Sequence, residues 1–253
     1  MALRKEEIRK GVSEFYAGLI KEKGGDCCTG CCSPEPGTAE KVGYTKQDLE
    51  GIPQEAGGSS FGCGNPLAFA EVKAGETVLD LGSGGGIDCF LAADRVGKSG
   101  RVIGLDMTEE MIERATKTAE QNGYGNVEFR LGQIEEMPVE TGSVDWVISN
   151  CVINLSPEKE KVFAESFRVL KPGGRLLISD MVAEDLPDEM REDISAWASC
   201  VSGAVTEGEY LGMIRAAGFE QVEIVDRVDY VEPSREKPYQ LASIRVKGIK
   251  KQA

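Results

Sequence analysis

The chain contains no histidine. That absence removes the usual general base near neutral pH. It also removes Ser-His and Cys-His nucleophile pairs and every imidazole metal ligand. Positive charge is in deficit too: 29 Lys and Arg face 43 Asp and Glu, for a net charge of −14. Such a surface argues against nucleic acid or an anionic membrane as partner, but admits a small neutral or cationic ligand. No apolar run approaches the length of a membrane span. The N-terminus lacks the apolar stretch of a signal peptide. A soluble, cytoplasmic protein is expected. The eight cysteines are too sparse over 253 residues for a secreted disulfide framework. Whatever soft chemistry occurs must rest on thiols.

What is present centres on residues 77–86. Thr77-Val78-Leu79-Asp80-Leu81 reads as a short buried strand, Gly82-Ser83-Gly84-Gly85-Gly86 as a tight turn, and residues 87–97 as a helix. Glycine lets the backbone close on a ligand, and the N–H groups opening the helix face that ligand. Two commoner phosphate loops are excluded. There is no Gly-Lys-Ser/Thr ending, and glycines at 82, 84 and 86 break the Gly-x-Gly-x-x-Gly spacing. Residues 101–105 read as the next strand, ending in Asp106. An acid there can accept both ribose hydroxyls of an adenosyl ligand.

Further strands are expected near 127–131, 144–149, 174–179, 222–227 and 240–246, and helices near 66–72, 109–122, 158–169 and 207–217. Alternating strands and helices imply a doubly wound, mostly parallel α/β sheet of Rossmann-like type. Ahead of it, Ile8, Val12, Phe15 and Leu19 recur at helical spacing and predict an amphipathic helix laid on the body. An arm carrying Cys27, Cys28, Cys31 and Cys32 follows. Residues 44–64, rich in Gly, Ser and Pro, are expected to be an irregular loop over the site. The division is thus an arm with cysteine cluster and loop at 1–60 and a main domain at 61–253. Residues 181–206 are too long for a simple connection and read as a substrate-side insertion.

The run Asp80-Leu81-Gly82-Ser83-Gly84-Gly85-Gly86, with Asp106, resembles motif I and its acidic partner in class I S-adenosylmethionine (SAM) methyltransferases. That resemblance implies a seventh strand antiparallel to the others. It assigns Asp80, Gly82, Ser83, Gly84 and Asp106 to the cofactor. Met107 and Ile134 would cover the two adenine faces, Glu135 would accept from the exocyclic amine, and Asn150 would lie beside the methionine moiety. Three further motifs, Gly62-Cys63-Gly64-Asn65-Pro66, Ser149-Asn150-Cys151-Val152-Ile153-Asn154-Leu155 and Ser199-Cys200-Val201-Ser202-Gly203-Ala204, resemble the arsenite methyltransferase family. The resemblance implies that Cys151 and Cys200 hold trivalent arsenic, with Cys63 as third ligand or transient disulfide partner. The family also uses an arm cysteine. Four candidates stand together here, of which Cys32 is carried forward with Cys63, Cys151 and Cys200. Longer members carry a further C-terminal domain.

The chemistry is consistent with the residues. Arsenic(III) is soft and suits thiolates better than carboxylates. Its lone pair needs no deprotonation before accepting a methyl group, so the missing histidine costs nothing. The expected co-substrates are SAM, arsenite or its thiol adduct, and a thiol reductant of glutathione or thioredoxin type. Two alternatives stand beside this reading: a SAM-dependent C-methyltransferase of a small organic substrate, and a non-catalytic thiol metalloid-binding protein. The paired Cys-x-x-Cys spacing at 27–32 also allows structural zinc, although one tetrahedral site from six residues is sterically awkward.

Overall fold

The computed structural model describes residues 4–21, 44–53, 56, 64–193, 197–230 and 239–252. Cys27, Cys28, Cys31, Cys32 and Cys63 lie outside these. The sheet comprises β1 (Thr77–Leu81), β2 (Arg101–Asp106), β3 (Val127–Leu131), β4 (Val144–Asn150), β5 (Leu170–Glu184), β6 (Glu220–Tyr230) and β7 (Gln240–Ile249). Its spatial order is β3-β2-β1-β4-β5-β7-β6. β1 to β5 run parallel, and β7 is antiparallel to both neighbours. The expected seven-stranded, doubly wound architecture with an antiparallel seventh strand is the observed one.

Both faces of the sheet are covered, which explains its near-continuous apolar strands. Side chains alternate along each strand. Val78, Val102, Trp146, Ile148 and Leu177 face one layer, which α3 (Ile87–Val96) covers with Phe90, Ala93 and Val96. Leu79, Leu81, Ile103, Leu105 and Val147 face the other, where α5 (Lys159–Val169) contributes Phe163 and α7 (Glu207–Ala216) contributes Tyr210 and Ile214. α4 (Glu109–Asn122) connects β2 and β3. In register, Leu81 pairs with Leu105 and Ser149, and Asn150 with Ser179. The carboxyl ends of β1, β2 and β4 therefore share one edge, and the functional loops leave from it.

α1 (Lys5–Lys21) buries Ile8 and Val12, one helical turn apart, as the periodicity predicts. They join Cys151, Leu155, Trp197 and Cys200 in a third apolar cluster, separate from the two sheet layers. Polar straps fix the helix: Lys5 and Arg9 pair with Glu158, and Arg9 also pairs with Glu135. The Tyr16 hydroxyl donates to the Ala198 carbonyl at 3.0 Å.

Three local expectations need correction. Within residues 44–64, Thr45 and Asp48 form a reciprocal capping box that opens a short helix, α2 (Lys46–Glu50). The helix expected at 66–72 is a single 3-10 turn, Pro66–Phe69, because Ala70 is already extended. β5 was expected at 174–179 but runs to Glu184, since Met181 to Glu184 pair with Ser243 to Gln240 on β7. The insertion expected to begin at 181 thus starts after the strand. It carries a short helix, α6 (Asp188–Arg191).

Candidate active site

A cleft of about 980 Å³, part of it open to solvent, lies at the shared carboxyl edge. Asp80, Gly82, Ser83, Gly84, Asp106, Met107, Ile134, Glu135, Asn150 and Cys151, all singled out from the sequence, line it. Gly82 has φ +66°, and a Cβ there would stand 2.2 Å from Val152. Glycine is required both by the turn and by the close approach of the segment after Cys151. Asp106 accepts from the Gly84 and Thr108 amides at 3.0 and 2.9 Å, which fixes its side chain at the cleft floor. The Ser83 hydroxyl is buried and has no hydrogen-bond partner among the described residues. A polar ligand in the cleft would satisfy it.

Acidic charge is concentrated here. Asp80 is fully buried and accepts a hydrogen bond from the Cys89 thiol at 3.3 Å. Burial and the nearby Asp88 hold its carboxyl well above the usual range. Burial likewise raises Asp88 to about 6, against hydrogen bonds from Tyr44 and Asn150 that favour its charged form. Asp106 is raised by burial as well. Three carboxylates sharing one cleft favour a cationic occupant. Cys89, expected in the core, is indeed fully buried there.

Two cofactor candidates are engaged differently from expectation. Glu135 accepts from Arg9 at 3.1 Å and from Ser156 at 2.7 Å through one oxygen, so it also anchors α1. The Asn150 amide donates to the Gly64 carbonyl at 2.6 Å and to the Tyr44 hydroxyl at 2.9 Å, and its oxygen accepts from the Gly64 amide at 3.2 Å. It therefore pins the segment that follows Cys63 to the end of β4. Sequence reasoning missed Tyr44 and Asp88, and missed that Arg9, Val12 and Tyr16 roof the cleft. One signal for Asp88 was available: it is a carboxylate inside the apolar first turn of α3.

Cys151 lines the cleft, and Cys200 packs against its backbone. Cys151 follows β4, and its amide donates to the Ser179 carbonyl at 2.8 Å. Cys200 sits in the insertion, 49 residues on, and its Sγ donates to the Cys151 carbonyl at 2.9 Å. Both are about 4% exposed. Both also adopt left-handed backbone, with φ of 59° and 61°. Each such conformation costs a non-glycine residue about 1–2 kcal/mol and persists only where the surroundings over-determine it. Cys200 is a free thiol and Cys151 is disulfide-bonded. The expected third ligand, Cys63, and the arm candidate Cys32 lie outside the described residues. Among the described residues no group of three Cys, Asp or Glu is placed to hold a metal ion.

A second buried constellation lies behind the thiols. Asp180 accepts from Tyr210 at 2.9 Å and from the Asn154 and Met181 amides at 3.0 Å each. Burial still lifts it to about 6. Lys159 is buried beneath Trp197, and burial lowers it to about 8. Sequence alone reads Lys159 as a solvated residue opening a helix.

A seven-stranded sheet of this order, with a glycine loop after β1 and an acid ending β2, defines a methyltransferase of the S-adenosylmethionine-dependent class. A methyltransferase-domain family model matches residues 72–218. The arsenite methyltransferase of Halobacterium salinarum is 48% identical over 240 residues, 90% of this chain and 61% of that protein. The human arsenite methyltransferase is 37% identical over 86% of this chain and 60% of its own length. The crystal structure of CrArsM, an arsenic(III) S-adenosylmethionine methyltransferase from Chlamydomonas reinhardtii, superposes with a TM-score of 0.72 at 33% identity, covering 80% of this chain and 72% of that one. The chain belongs to the arsenite methyltransferase family. It spans about three-fifths of the length of these curated relatives. No helix among the described residues is long and apolar enough to cross a membrane.

Proposed function

We propose that the protein transfers a methyl group from S-adenosylmethionine to trivalent arsenic held by cysteine thiolates. The observation that carries this reading is the apposition of Cys200 Sγ and the Cys151 carbonyl at 2.9 Å beside the cleft that Cys151 lines. The residues present fit the cofactor: a buried unpartnered Ser83 hydroxyl, a glycine loop closed against Val152, and carboxylates that favour a cation. The cofactor supplies an electrophilic methyl group on a sulfonium sulfur. Asp106 would hold the ribose hydroxyls, Ile134 and Met107 the adenine faces, and Asp80 or Asp88 the methionine ammonium.

Cys151 and Cys200 grip the metalloid, with Cys63 as the third thiolate. Held there, the arsenic would keep a lone pair free to accept the methyl group, so alignment would be the protein's main contribution. The arsenic–carbon bond forms as the sulfur–methyl bond breaks. Arsenic becomes formally pentavalent. Two thiols then return two electrons by forming a disulfide, which a reductant of glutathione or thioredoxin type reopens. That Cys151 is disulfide-bonded supports this step.

The test is incubation with SAM, arsenite and excess thiol, followed by mass analysis of arsenic species. Methylated arsenic is expected with the natural chain and none with Cys151→Ser. Near-normal product from that variant would overturn the thiolate reading, and SAM binding with no methylated arsenic from the natural chain would transfer it to an organic methyl acceptor. Arsenite binding without SAM binding would leave a metalloid carrier.

A further inference from the structure

Lys159 is 6% exposed, yet it sits at the start of α5, where a lysine usually reaches water. Its Nζ donates to the Ser156 carbonyl at 2.9 Å and to the Asn154 carbonyl at 3.3 Å. Its third direction faces the Trp197 ring, 5.4 Å from the centroid. The first two contacts fix the turn Ile153–Leu155, which begins two residues after Cys151. The third fixes a side chain three residues before Cys200, and the Cys200 amide donates back to the Trp197 carbonyl at 2.9 Å. Asn154 extends the tie, since its amide donates to the carbonyls of Met181 at 2.5 Å and Cys200 at 3.4 Å. The two backbones touch: a Cβ on Gly203 would lie 1.9 Å from the Asn154 carbonyl oxygen.

We propose that Lys159 is the positioning residue of the thiol pair, stapling the turn after Cys151 to the segment that carries Cys200. The inference rests on the thiol reading above and deepens it. The two left-handed cysteines need surroundings that fix them, and Lys159 touches both segments through its charged end. Burying an ammonium is costly unless its charge is used. The charged and titratable groups around it are Asp180, Glu160, Arg191 and Cys200. Asp180 is already committed to Tyr210 and two backbone amides. The positive charge thus faces Asp180, Glu160 and Cys200, the last of these belonging to the thiol pair. Lys159 touches neither the adenosyl cleft nor the arsenic position directly, so it acts through the cysteines.

The experiment compares the natural chain with Lys159→Met, which keeps the apolar stem and removes the charge, and with Lys159→Arg. Trp197 fluorescence is titrated with phenylarsine oxide, which closes on two thiols, under reducing conditions. SAM affinity is measured by calorimetry. Lys159→Met is expected to bind the arsenical about tenfold more weakly while SAM affinity stays within about twofold, and Lys159→Arg to recover part of the loss. Steady-state kinetics should show the loss in KM for arsenite rather than in KM for SAM. Unchanged arsenical affinity in Lys159→Met would overturn the role, as would an equal loss of SAM affinity. If Lys159→Met does not fold, Trp197→Leu, read by KM for arsenite, must show the same selective loss or the role fails. Failure of the natural chain to bind the arsenical at Trp197 would instead overturn the thiol reading itself.

Discussion

The glycine-loop region of the cleft is shaped by backbone, and the neighbouring thiol region by side chains. In the first, the turn after β1, the amides of Gly84 and Thr108 and the end of β2 define the walls, all within about thirty residues. In the second, Cys151 and Cys200 come from loops 49 residues apart and hold costly left-handed backbone. Lys159, Asn154 and Trp197 secure them from behind. A backbone-built site tolerates side-chain exchange around it. A site built from strained side chains depends on each neighbour, so its function should be the more easily lost.

The largest effect should come from Cys200→Ser, which removes a soft ligand and leaves the cleft intact. Arsenic methylation should fall about 100-fold or more with SAM affinity unchanged, as followed by mass analysis and calorimetry. A parallel loss of both would break the comparison. Asp106→Ala should do the reverse. SAM affinity should weaken about 10- to 50-fold through lost charge-assisted hydrogen bonds, while the Trp197 response to an arsenical stays in place.

Asp180→Asn sharpens the picture through pH. The folded-state pKa of Asp180 is raised to about 6, so the folded chain holds its proton longer than the unfolded chain does. The native carboxyl therefore loses stability as pH rises from about 4 through about 6. An amide does not titrate. Relative to the natural chain, Asp180→Asn should gain melting temperature across that interval, by about 2–5 °C, and the difference should flatten above it. Scanning calorimetry at several pH values checks this. A difference that shrinks as pH rises would contradict the sign. The smallest effect is expected of Arg9→Met, which cuts ion pairs to Glu135 and Glu158. SAM affinity should drop about threefold, because these half-buried pairs hold the cleft roof without lining its floor.

The glycine-loop region of the cleft was legible because its determinants are local. Asp80 to Gly86 and Asp106 carry their meaning in spacing, and each strand of the sheet was found near its place. The thiol half was legible only where a cysteine marked it. Nothing in the sequence tells that Lys159 folds inward, since the cause is a ring 38 residues away. Tyr44 and Asp88 meet across 44 residues, and only the closed fold makes them partners. That α1 claims one oxygen of Glu135 was hidden, because the helix enters from the opposite end of the chain. The single turn at residues 66–69 was overextended because proline marks a start and gives no length.

A helix of 17 residues standing alone in water is barely populated. α1 is helical because it is docked, and its anchors sit on Glu135 and Ser156's side of the molecule as well as on Ala198, two residues before Cys200. Whatever fills either chamber therefore competes for, or adds to, the same docking free energy. Protease access to residues 4–21 becomes a clock for occupancy, running fast when the protein is empty and slow when both guests are aboard.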